Sequence, residues 1–281
     1  MDEACVYGRY DIVNFLLKNV DSKLLDTKLV LEKACGYGWK DIINWSFDNS
    51  KDTSFDLNEC MLEACLQGRL EIIEILFSKY GAKHFDADKL IDKLCINCGN
   101  AGVMEFLIEN FDLAQSHKDI IIKNACKHSW SGIVRLVLDM CKHNKNIMED
   151  AMKNACNSGV NEIVEMLLDH VDVNFLAVQT AMIISCQKGW EEIVSLLLER
   201  VDNSLFDFTS AMKEACRGGE PDIVELLIPK VDRRHFNFDT AIEEACKSHL
   251  NENLVLTLLC DINHSTIDIE GMYKEHVKMD G

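Results

Sequence analysis

The sequence predicts an all-α fold, a solenoid of eight to nine stacked helix-turn-helix units, from three observations. A cysteine recurs every 30 residues, with one step of 31; an apolar residue stands four positions before it, and a glycine usually stands three positions after it. An internal period of this length is the signature of a repeat architecture. The recurring cysteines are Cys5, Cys35, Cys65, Cys95, Cys126, Cys156, Cys186, Cys216 and Cys246.

The first helix of each unit is predicted from the spacing around the cysteine. Met212, Ala215 and Cys216 are spaced i, i+3 and i+4, which places them on one apolar face of a helix. Gly218 and Gly219 follow, and glycine accepts the left-handed conformation with which many helices end. We therefore expect the first helix to end at this glycine pair.

The second helix of each unit is predicted to begin directly after the glycine. Pro221 suits a first helical turn, and the carboxylate of Asp222 suits the positive end of the helix dipole. Ile223, Val224 and Leu227 then form a second apolar stripe. Because Asp or Glu recurs before the Ile-Val pair in most units, helix starts account for much of the net charge of −18.

The loop between units also contains an apolar residue that recurs at a fixed position. A Leu or Phe stands ten residues before the cysteine, and Asp, Asn or Thr usually follows it, which is the pattern of a hydrophobic staple next to an N-cap. We therefore expect packing, not recognition, from this column. Its members are Leu25, Phe55, Phe85, Leu176, Phe206 and Phe236.

Stacking follows from the two apolar stripes. One helix pair cannot bury both of its faces alone, so we expect each unit to pack on its neighbours in sequence. The array is predicted to extend over residues 1–262, without a linker or second domain. Residues 263–281 are polar and are predicted to form a degenerate cap or a tail.

The units resemble the ankyrin repeat. The string from Thr240 to Cys246, TAIEEAC, is similar to the T-P-L-H-x-A-A opening of that repeat, and the pattern G-x-x-D/E-I-V-x-x-L-L is similar to its second helix. The resemblance covers about residues 1–262. The departures are Ala in place of Pro at 151, 181, 211 and 241, the absent motif His, and a period of 30 instead of about 33 residues. The shorter unit implies β-hairpin fingers that are short or lost, as in ankyrin variants of large viruses and amoebae.

The composition limits the classes of partner that the protein is expected to bind and the cellular compartment in which it is expected to occur. A net charge of −18 disfavours nucleic acid and anionic membrane surfaces, because phosphates are bound by clustered Lys and Arg. The N-terminal residues lack a secretory pattern, and no apolar run approaches the ~20 residues that span a bilayer. The repeating cysteines form a register instead of pairs, which predicts reduced thiols in a cytoplasmic compartment, with a host-cell cytoplasm among the options.

Catalysis, cofactors and metals are not predicted. Cysteines one repeat apart are too distant to share a zinc ion at a Zn–S distance of about 2.3 Å, so they are interpreted as buried small hydrophobes. Cys95-x-x-Cys98 is a lone pair in which Cys98 occupies the glycine column, which leaves a metal or redox role as a weak alternative. No nucleophile, phosphate-binding or metalloprotease motif occurs, so we expect neither an enzyme nor a small-molecule substrate.

The resemblance implies a protein-protein interaction scaffold. In ankyrin-like arrays the partner usually contacts the concave side, and the net charge of −18 predicts a partner protein with a basic docking patch. The alternative is a substrate-targeting subunit of a larger enzyme assembly such as a ubiquitin ligase.

The turn that leaves the first helix is predicted to carry the contact residues. The two positions between the cysteine and the glycine vary, and three of the four tryptophans stand directly after the glycine column. Tryptophan and tyrosine are favoured interface anchors, although the same tryptophans could pack on the neighbouring repeat; both interpretations remain open. The predicted protein-binding residues are Tyr7, Tyr37, Trp39, His128, Trp130, Lys188 and Trp190.

Overall fold

The helical columns of the sequence form helices in the structure, a computed structural model. It describes residues 1–21, 24–49, 55–96, 100–141, 144–247, 254–255 and 258. Within these residues the regular structure consists of α-helices and short 3-10 turns, without a strand. The predicted all-α class is therefore confirmed.

Each repeating cysteine lies in an odd-numbered helix, the first of its unit, and the even-numbered helix that follows is the second. The helices are α1 (Asp2–Val6), α2 (Tyr10–Asn19), α3 (Thr27–Tyr37), α4 (Lys40–Asn49), α5 (Leu57–Leu66), α6 (Leu70–Tyr80), α7 (Ala87–Ile96), α8 (Ala101–Asn110), α9 (Gln115–Lys127), α10 (Ser131–Leu138), α11 (Lys145–Ser158), α12 (Asn161–His170), α13 (Val178–Gln187), α14 (Glu191–Arg200), α15 (Phe208–Gly218), α16 (Pro221–Lys230) and α17 (Phe238–Lys247).

The chain divides into two compact units, Met1–Ile122 and Lys123–Gly281, with the boundary inside α9. In the first unit, α1, α3, α5 and α7 pack in sequence, and each also packs on the second helix that follows it. In the second unit, α11, α13, α15 and α17 form one row and α10, α12, α14 and α16 form another. This tandem packing of neighbours is the predicted solenoid. The predicted tail at 263–281 lies outside the described residues, and the extent of the array over 1–262 stays a prediction.

The core is built from the columns of the repeat. The repeating cysteines from Cys5 to Cys216 are buried, and so are the apolar residues four positions before the cysteines from Leu31 onward; Cys246 and Met1 are partly exposed. The Ile-Val or Ile-Ile pairs of the second helices from α4 onward are buried as well. Neighbouring sulfur atoms meet inside the first helices: the Cys186 thiol lies 3.7 Å from the sulfur of Met182, and the Cys156 thiol lies 4.0 Å from that of Met152. Burial of each Ile, Leu or Met side chain contributes about 1.5–3 kcal/mol to the free energy of unfolding. The cysteines act as the predicted small hydrophobes of this core.

The exit of the first helix matches the sequence prediction. Gly219 follows the last residue of α15 with a φ of 77°, in the left-handed region, and α16 begins at Pro221. Where the unit of Cys126 lacks the glycine, Ser129 takes the same conformation with a φ of 62°. The left-handed conformation of a residue with a Cβ lowers the free energy of unfolding by about 1–2 kcal/mol. Ser129 therefore adopts this conformation at a cost to stability, because the packing of the repeats requires it.

The loops between units contain the predicted staple and N-cap. Phe206 is buried, and the side chain of Asp207 beside it accepts a hydrogen bond from the backbone N–H of Ser210 at the start of α15. Asp26 and Asp56 cap α3 and α5 in the same way. Short 3-10 turns stand where the hairpin of a longer ankyrin repeat projects; they are Ala82–His84, Val173–Phe175, Asn203–Leu205 and Arg233–His235.

Candidate protein-binding surface

The seven predicted contact residues lie at the turns that leave the first helices, which we call the helix-exit surface. Tyr7, Tyr37 and Trp39 belong to the first compact unit. His128, Trp130, Lys188 and Trp190 belong to the second. The structure thus brings them together in local groups, each formed by one or two neighbouring repeats.

The group in the first unit is an aromatic stack. The rings of Tyr37 and Trp39 lie nearly parallel with centroids 4.9 Å apart, and Tyr10 meets Trp39 edge-on at 5.7 Å. The hydroxyl of Tyr37 donates a hydrogen bond to the carbonyl oxygen of Val6, 2.7 Å away. Tyr37 is 38% exposed and Tyr7 is 72% exposed. The stack therefore fixes aromatic rings in place while leaving part of their surface accessible.

The second unit holds two smaller groups. His128 and Trp130 have ring centroids 5.4 Å apart at a tilted angle. Trp190 is 37% exposed and stands at the start of α14, two residues after the exposed Lys188. Trp130 holds the equivalent position before α10. Both tryptophans therefore mark the junction between a first and a second helix.

Five of the glycines with a positive φ are covered by side chains from the next repeat, whereas nothing lies within 4 Å of a Cβ built on Gly81. A Cβ atom built on Gly159 would lie 2.6 Å from the ring of Trp190, so that ring rests directly on the glycine turn. Arg69 lies over Gly38 and also donates a hydrogen bond from Nε to the carbonyl oxygen of Gly36, 3.0 Å away. We call these side chains the covering residues. They are Tyr37 over Gly8, Arg69 over Gly38, Asn100 over Gly68, Trp190 over Gly159 and Glu220 over Gly189.

The covering contacts bear on the two interpretations of the tryptophan column. Trp190 packs on the neighbouring repeat, which is the packing interpretation, yet more than a third of it stays exposed. Tyr37 behaves in the same way over Gly8. Sequence reasoning found the tryptophans in one column but missed this covering contact. The covering residues stand 29 to 32 positions after the covered glycines, but this spacing alone does not reveal the contact.

Charged side chains on the first helices pair across repeats. Lys33 lies 2.6 Å from Glu63, and Arg217 lies 3.3 Å from Glu244. Partial burial acts to raise the pKa of Glu244, but hydrogen bonds from Lys247 and Arg217 bring that pKa below its usual value. Exposed pairs of this kind contribute at most about 1 kcal/mol each, so they align neighbouring repeats more than they stabilise them.

The buried thiols of the core are poorly suited to act as nucleophiles, redox groups or metal ligands. Burial raises the pKa of Cys126 and of Cys156 to about 12, and that of Cys95 to about 11, which keeps these thiols protonated at neutral pH. Cys98, the other half of the Cys-x-x-Cys pair, lies outside the described residues. In the part of the chain that the structure describes, no group of three or more His, Cys, Asp or Glu side chains is arranged to hold a metal ion. None of the helices described there is long and apolar enough to cross a membrane.

Comparison with known proteins identifies the repeat. A search of curated proteins found no match to this chain. A family model for ankyrin repeats (3 copies) matches residues 125–207 and, in an overlapping match, residues 152–232. The matched segment contains α11–α16, and the same cysteine, glycine and Ile-Val columns recur in the first compact unit. Residues 125–232 therefore match the ankyrin repeat family, and the recurring columns make the repeats of the first compact unit similar to it.

Proposed function

We propose that this chain is a protein-protein interaction scaffold that binds its partner through the helix-exit surface. The carrying observation is the aromatic stack of Tyr37 and Trp39 in the first unit, together with the exposed Tyr7 at the helix-exit turn of the preceding repeat. Rings that are already held in place lose little conformational entropy when a partner covers them. Such rings are the commonest anchors of protein interfaces.

The charge of the chain supports a partner protein with a basic docking patch. The net charge of −18 creates a negative field that attracts a basic surface and speeds its association. Aromatic faces also accept Lys and Arg side chains through cation-π contacts, worth about 0.5–2 kcal/mol each. We therefore expect the association rate to fall as the salt concentration rises.

The covering residues extend the same surface into the second unit. Trp190 combines a structural contact over Gly159 with an exposed remainder, and Lys188 stands beside it in sequence. His128 and Trp130 form the other group there. We propose that these groups add contacts to those of the first unit.

A site-specific photo-cross-linking experiment tests the proposed surface. A photoreactive amino acid replaces Tyr7 in one variant and Lys188 in another, and matched controls carry it at Glu74 and Glu225, which are exposed on second helices. We expect one partner protein to be captured from Tyr7 and Lys188 but not from the controls. Equal capture from all four positions, or capture from Glu74 and Glu225 alone, would contradict the surface.

Binding of the purified partner to variants then measures the contribution of each ring. Tyr7→Ala and Trp39→Ala should each weaken binding at least about tenfold, because a central aromatic anchor contributes roughly 2 kcal/mol or more. Thermal unfolding serves as the control: Tyr7→Ala should leave the melting temperature unchanged, since the side chain is 72% exposed. Wild-type affinity in both variants would remove the aromatic group of the first unit from the proposed site.

A further inference from the structure

One repeat of the second compact unit differs from the others on the exposed side of its first helix. Ile183 and Ile184 stand three and two residues before Cys186 in α13, and both are partly exposed. We call these two residues the apolar strip. Every other repeat has at least one charged or amide side chain at the same two positions. Those pairs are Asp2-Glu3, Glu32-Lys33, Leu62-Glu63, Asp92-Lys93, Lys123-Asn124, Lys153-Asn154, Lys213-Glu214 and Glu243-Glu244.

The polar pairs beside the apolar strip make contacts between repeats. Asn154 on α11 donates a hydrogen bond to the carbonyl oxygen of Lys123, 3.1 Å away, and Lys213 on α15 lies 4.0 Å from Glu244. Isoleucine side chains form neither hydrogen bonds nor ion pairs. Polar alignment of the repeats therefore accounts for these neighbouring pairs but not for the apolar strip, whose exposed surface is stabilised when another apolar group covers it.

A lysine without an ion pair lies next to the apolar strip. Lys188 stands about one helical turn after Ile184, and its backbone N–H donates a hydrogen bond to the carbonyl oxygen of Ile184, 3.1 Å away. The Lys188 side chain is exposed and forms no ion pair with a residue that the structure describes. Glu220 covers the adjacent Gly189 but does not pair with Lys188. Lys188 can therefore offer its ammonium group to a partner.

The carboxylates on the two flanking first helices already have partners. Helix α13 itself contains no charged residue, and each Asp or Glu of α11 and α15 lies close to a Lys or Arg. The pairs include Glu149–Lys153 at 3.9 Å, Asp150–Lys123 at 2.7 Å and Glu214–Arg217 at 2.8 Å. The net charge of −18 therefore does not describe the surroundings of the apolar strip, where charge complementarity favours a carboxylate of the partner.

We propose that the apolar strip and Lys188 bind an acidic peptide segment of the partner protein, with an apolar side chain over the two isoleucines and a carboxylate on the Lys188 ammonium group. An apolar centre with a charged pair at its rim is the usual arrangement of a protein interface. This inference rests on the proposed scaffold function and deepens it, because it assigns the chemistry of one segment of the partner. The basic docking patch is a different element of that partner, since Lys188 repels a basic segment.

Selection from a random peptide library displayed on phage tests the chemistry of the segment, with the full wild-type chain as bait. Counter-selection uses the double variant Ile183→Lys with Ile184→Asn, which we call the polar variant. It carries the Lys-Asn pair that α11 has at the same positions, so it should fold. The enriched peptides should combine a large apolar residue with Asp or Glu. Enrichment of basic peptides, or no enrichment over the polar variant, would overturn the proposal.

Fluorescence anisotropy of one selected peptide then measures each part of the site. The polar variant should raise the Kd at least about tenfold, and Lys188→Glu at least about threefold. A peptide with lysine in place of its acidic residue should regain affinity for Lys188→Glu. Leu205→Asn is the matched control, because Leu205 is also exposed and apolar but lies in a 3-10 turn of the same unit. That control should bind the peptide like wild type.

Circular dichroism checks that the variants are folded. Lys188→Glu should fold because the side chain is exposed, so it decides the question alone if the polar variant does not fold. An unchanged Kd in Lys188→Glu, or in a folded polar variant, would show that the peptide binds elsewhere and would overturn the proposal.

The failure of this inference differs from the failure of the proposed function. If photo-cross-linking captures a partner but the selected peptides are not acidic, the scaffold function stands and the acidic segment is wrong. If acidic peptides bind the apolar strip but no partner is captured from Tyr7 and Lys188, the peptide site stands and the proposed helix-exit surface is wrong.

Discussion

At the scale of single residues, Ser185 shows how closely the core follows the repeat. Seven of the nine units have Ala directly before the cysteine, whereas the unit of Cys186 has Ser185 there. Ser185 is buried and its hydroxyl makes no hydrogen bond with an oxygen or nitrogen atom; it lies beside the Cys156 thiol, a weak partner. A buried hydroxyl without a strong partner costs about 1–3 kcal/mol of the free energy of unfolding.

We expect Ser185→Ala to raise the free energy of unfolding by about 1 kcal/mol, because the desolvated hydroxyl is removed and alanine fills the position. Urea unfolding measures the change. Ser46→Ala is the matched control, since Ser46 is equally buried but donates a hydrogen bond to the carbonyl oxygen of Ile42, 2.8 Å away. That control should be neutral or destabilising. A loss of stability in Ser185→Ala would show that its hydroxyl is well satisfied.

Gly159→Ala should lower the free energy of unfolding by more than about 1 kcal/mol. The φ of Gly159 is 70°, and the new Cβ would lie 2.6 Å from the ring of Trp190. Gly132→Ala is the control, because nothing lies within 4 Å of a Cβ there and Gly132 stands in α10. Adding Trp190→Ala should recover part of the loss in Gly159→Ala. Without any recovery, backbone strain alone accounts for the effect, and the ring does not rest on the glycine.

Sequence reasoning predicted the buried columns but not these residue contacts. The cysteine and Ile-Val columns could be found because burial repeats with a fixed period along one chain. The covering residues could not be assigned in the same way, because Tyr, Arg, Asn, Trp and Glu share no chemistry. Their common property is the reach of the side chain toward a glycine one repeat earlier, which only the stacked structure makes visible.

At the scale of one element, the caps determine where each first helix begins. Asp207 accepts hydrogen bonds from the side chain and the backbone N–H of Ser210, and these bonds lower the pKa of Asp207 below its usual value. A carboxyl whose pKa is lower in the folded state than in the unfolded state stabilises the fold at pH values above its unfolded-state pKa of about 4. This contribution to stability is lost as the pH falls through the folded-state pKa.

We therefore expect the free energy of unfolding of Asp207→Asn to depend less on pH under acidic conditions than that of the wild type. Asparagine is also a good N-cap, but it has no charge to lose. The free energy of unfolding of wild type should exceed that of Asp207→Asn at pH 7, and the difference should shrink toward zero at pH 3. A difference that is equal at both pH values would contradict an ionised cap.

The helix ends were the part of each element that the sequence predicted well. Gly219 and Pro221 bracket the turn as expected, since one favours a left-handed exit and the other a first helical turn. Ser129 could not be predicted to adopt the left-handed conformation, because its own preference opposes it and the packing of the repeat imposes it. The 3-10 turns between units were also missed, since three or four residues carry too little pattern.

At the scale of the whole molecule, stability should be distributed over nearest neighbours within each compact unit. The division at Ile122 was not predicted, because α9 continues the helical pattern across it without a linker. The neighbouring sequence does show irregularities: the single 31-residue step joins Cys95 to Cys126, and Ser129 replaces a glycine. Such departures weaken the pattern locally, and their effect on packing depends on contacts that composition does not reveal.

Thiol alkylation read by mass spectrometry should map this distribution. With a pKa of about 12, the Cys126 and Cys156 thiols are ionised to about 10⁻⁴ at pH 8, and they are buried as well. Among the described cysteines of the repeat column, we expect Cys246 to react first, because it is partly exposed. The buried thiols should react only through unfolding, at rates that rise with urea.

The same alkylation measurement on the Ser185→Ala variant tests whether a change in stability stays confined to neighbouring repeats. If stability is a sum of neighbour terms, the variant should slow the alkylation of Cys156 and Cys186 but leave that of Cys35 and Cys65 unchanged. Uniform slowing of all four thiols would instead indicate that the two compact units open together.

The variety of the covering residues has a consequence for how such a surface can change over time. The packing of the repeats requires only that some side chain cover the glycine of the previous repeat, and Tyr, Arg, Asn, Trp and Glu side chains all do so. Under the proposed function, the specificity for a partner can therefore change one repeat at a time, by exchanges such as Arg69→Trp or Trp190→Arg, while the scaffold persists. A lineage, or a designed library, can vary the chemistry of this surface by point substitution without searching for a new fold.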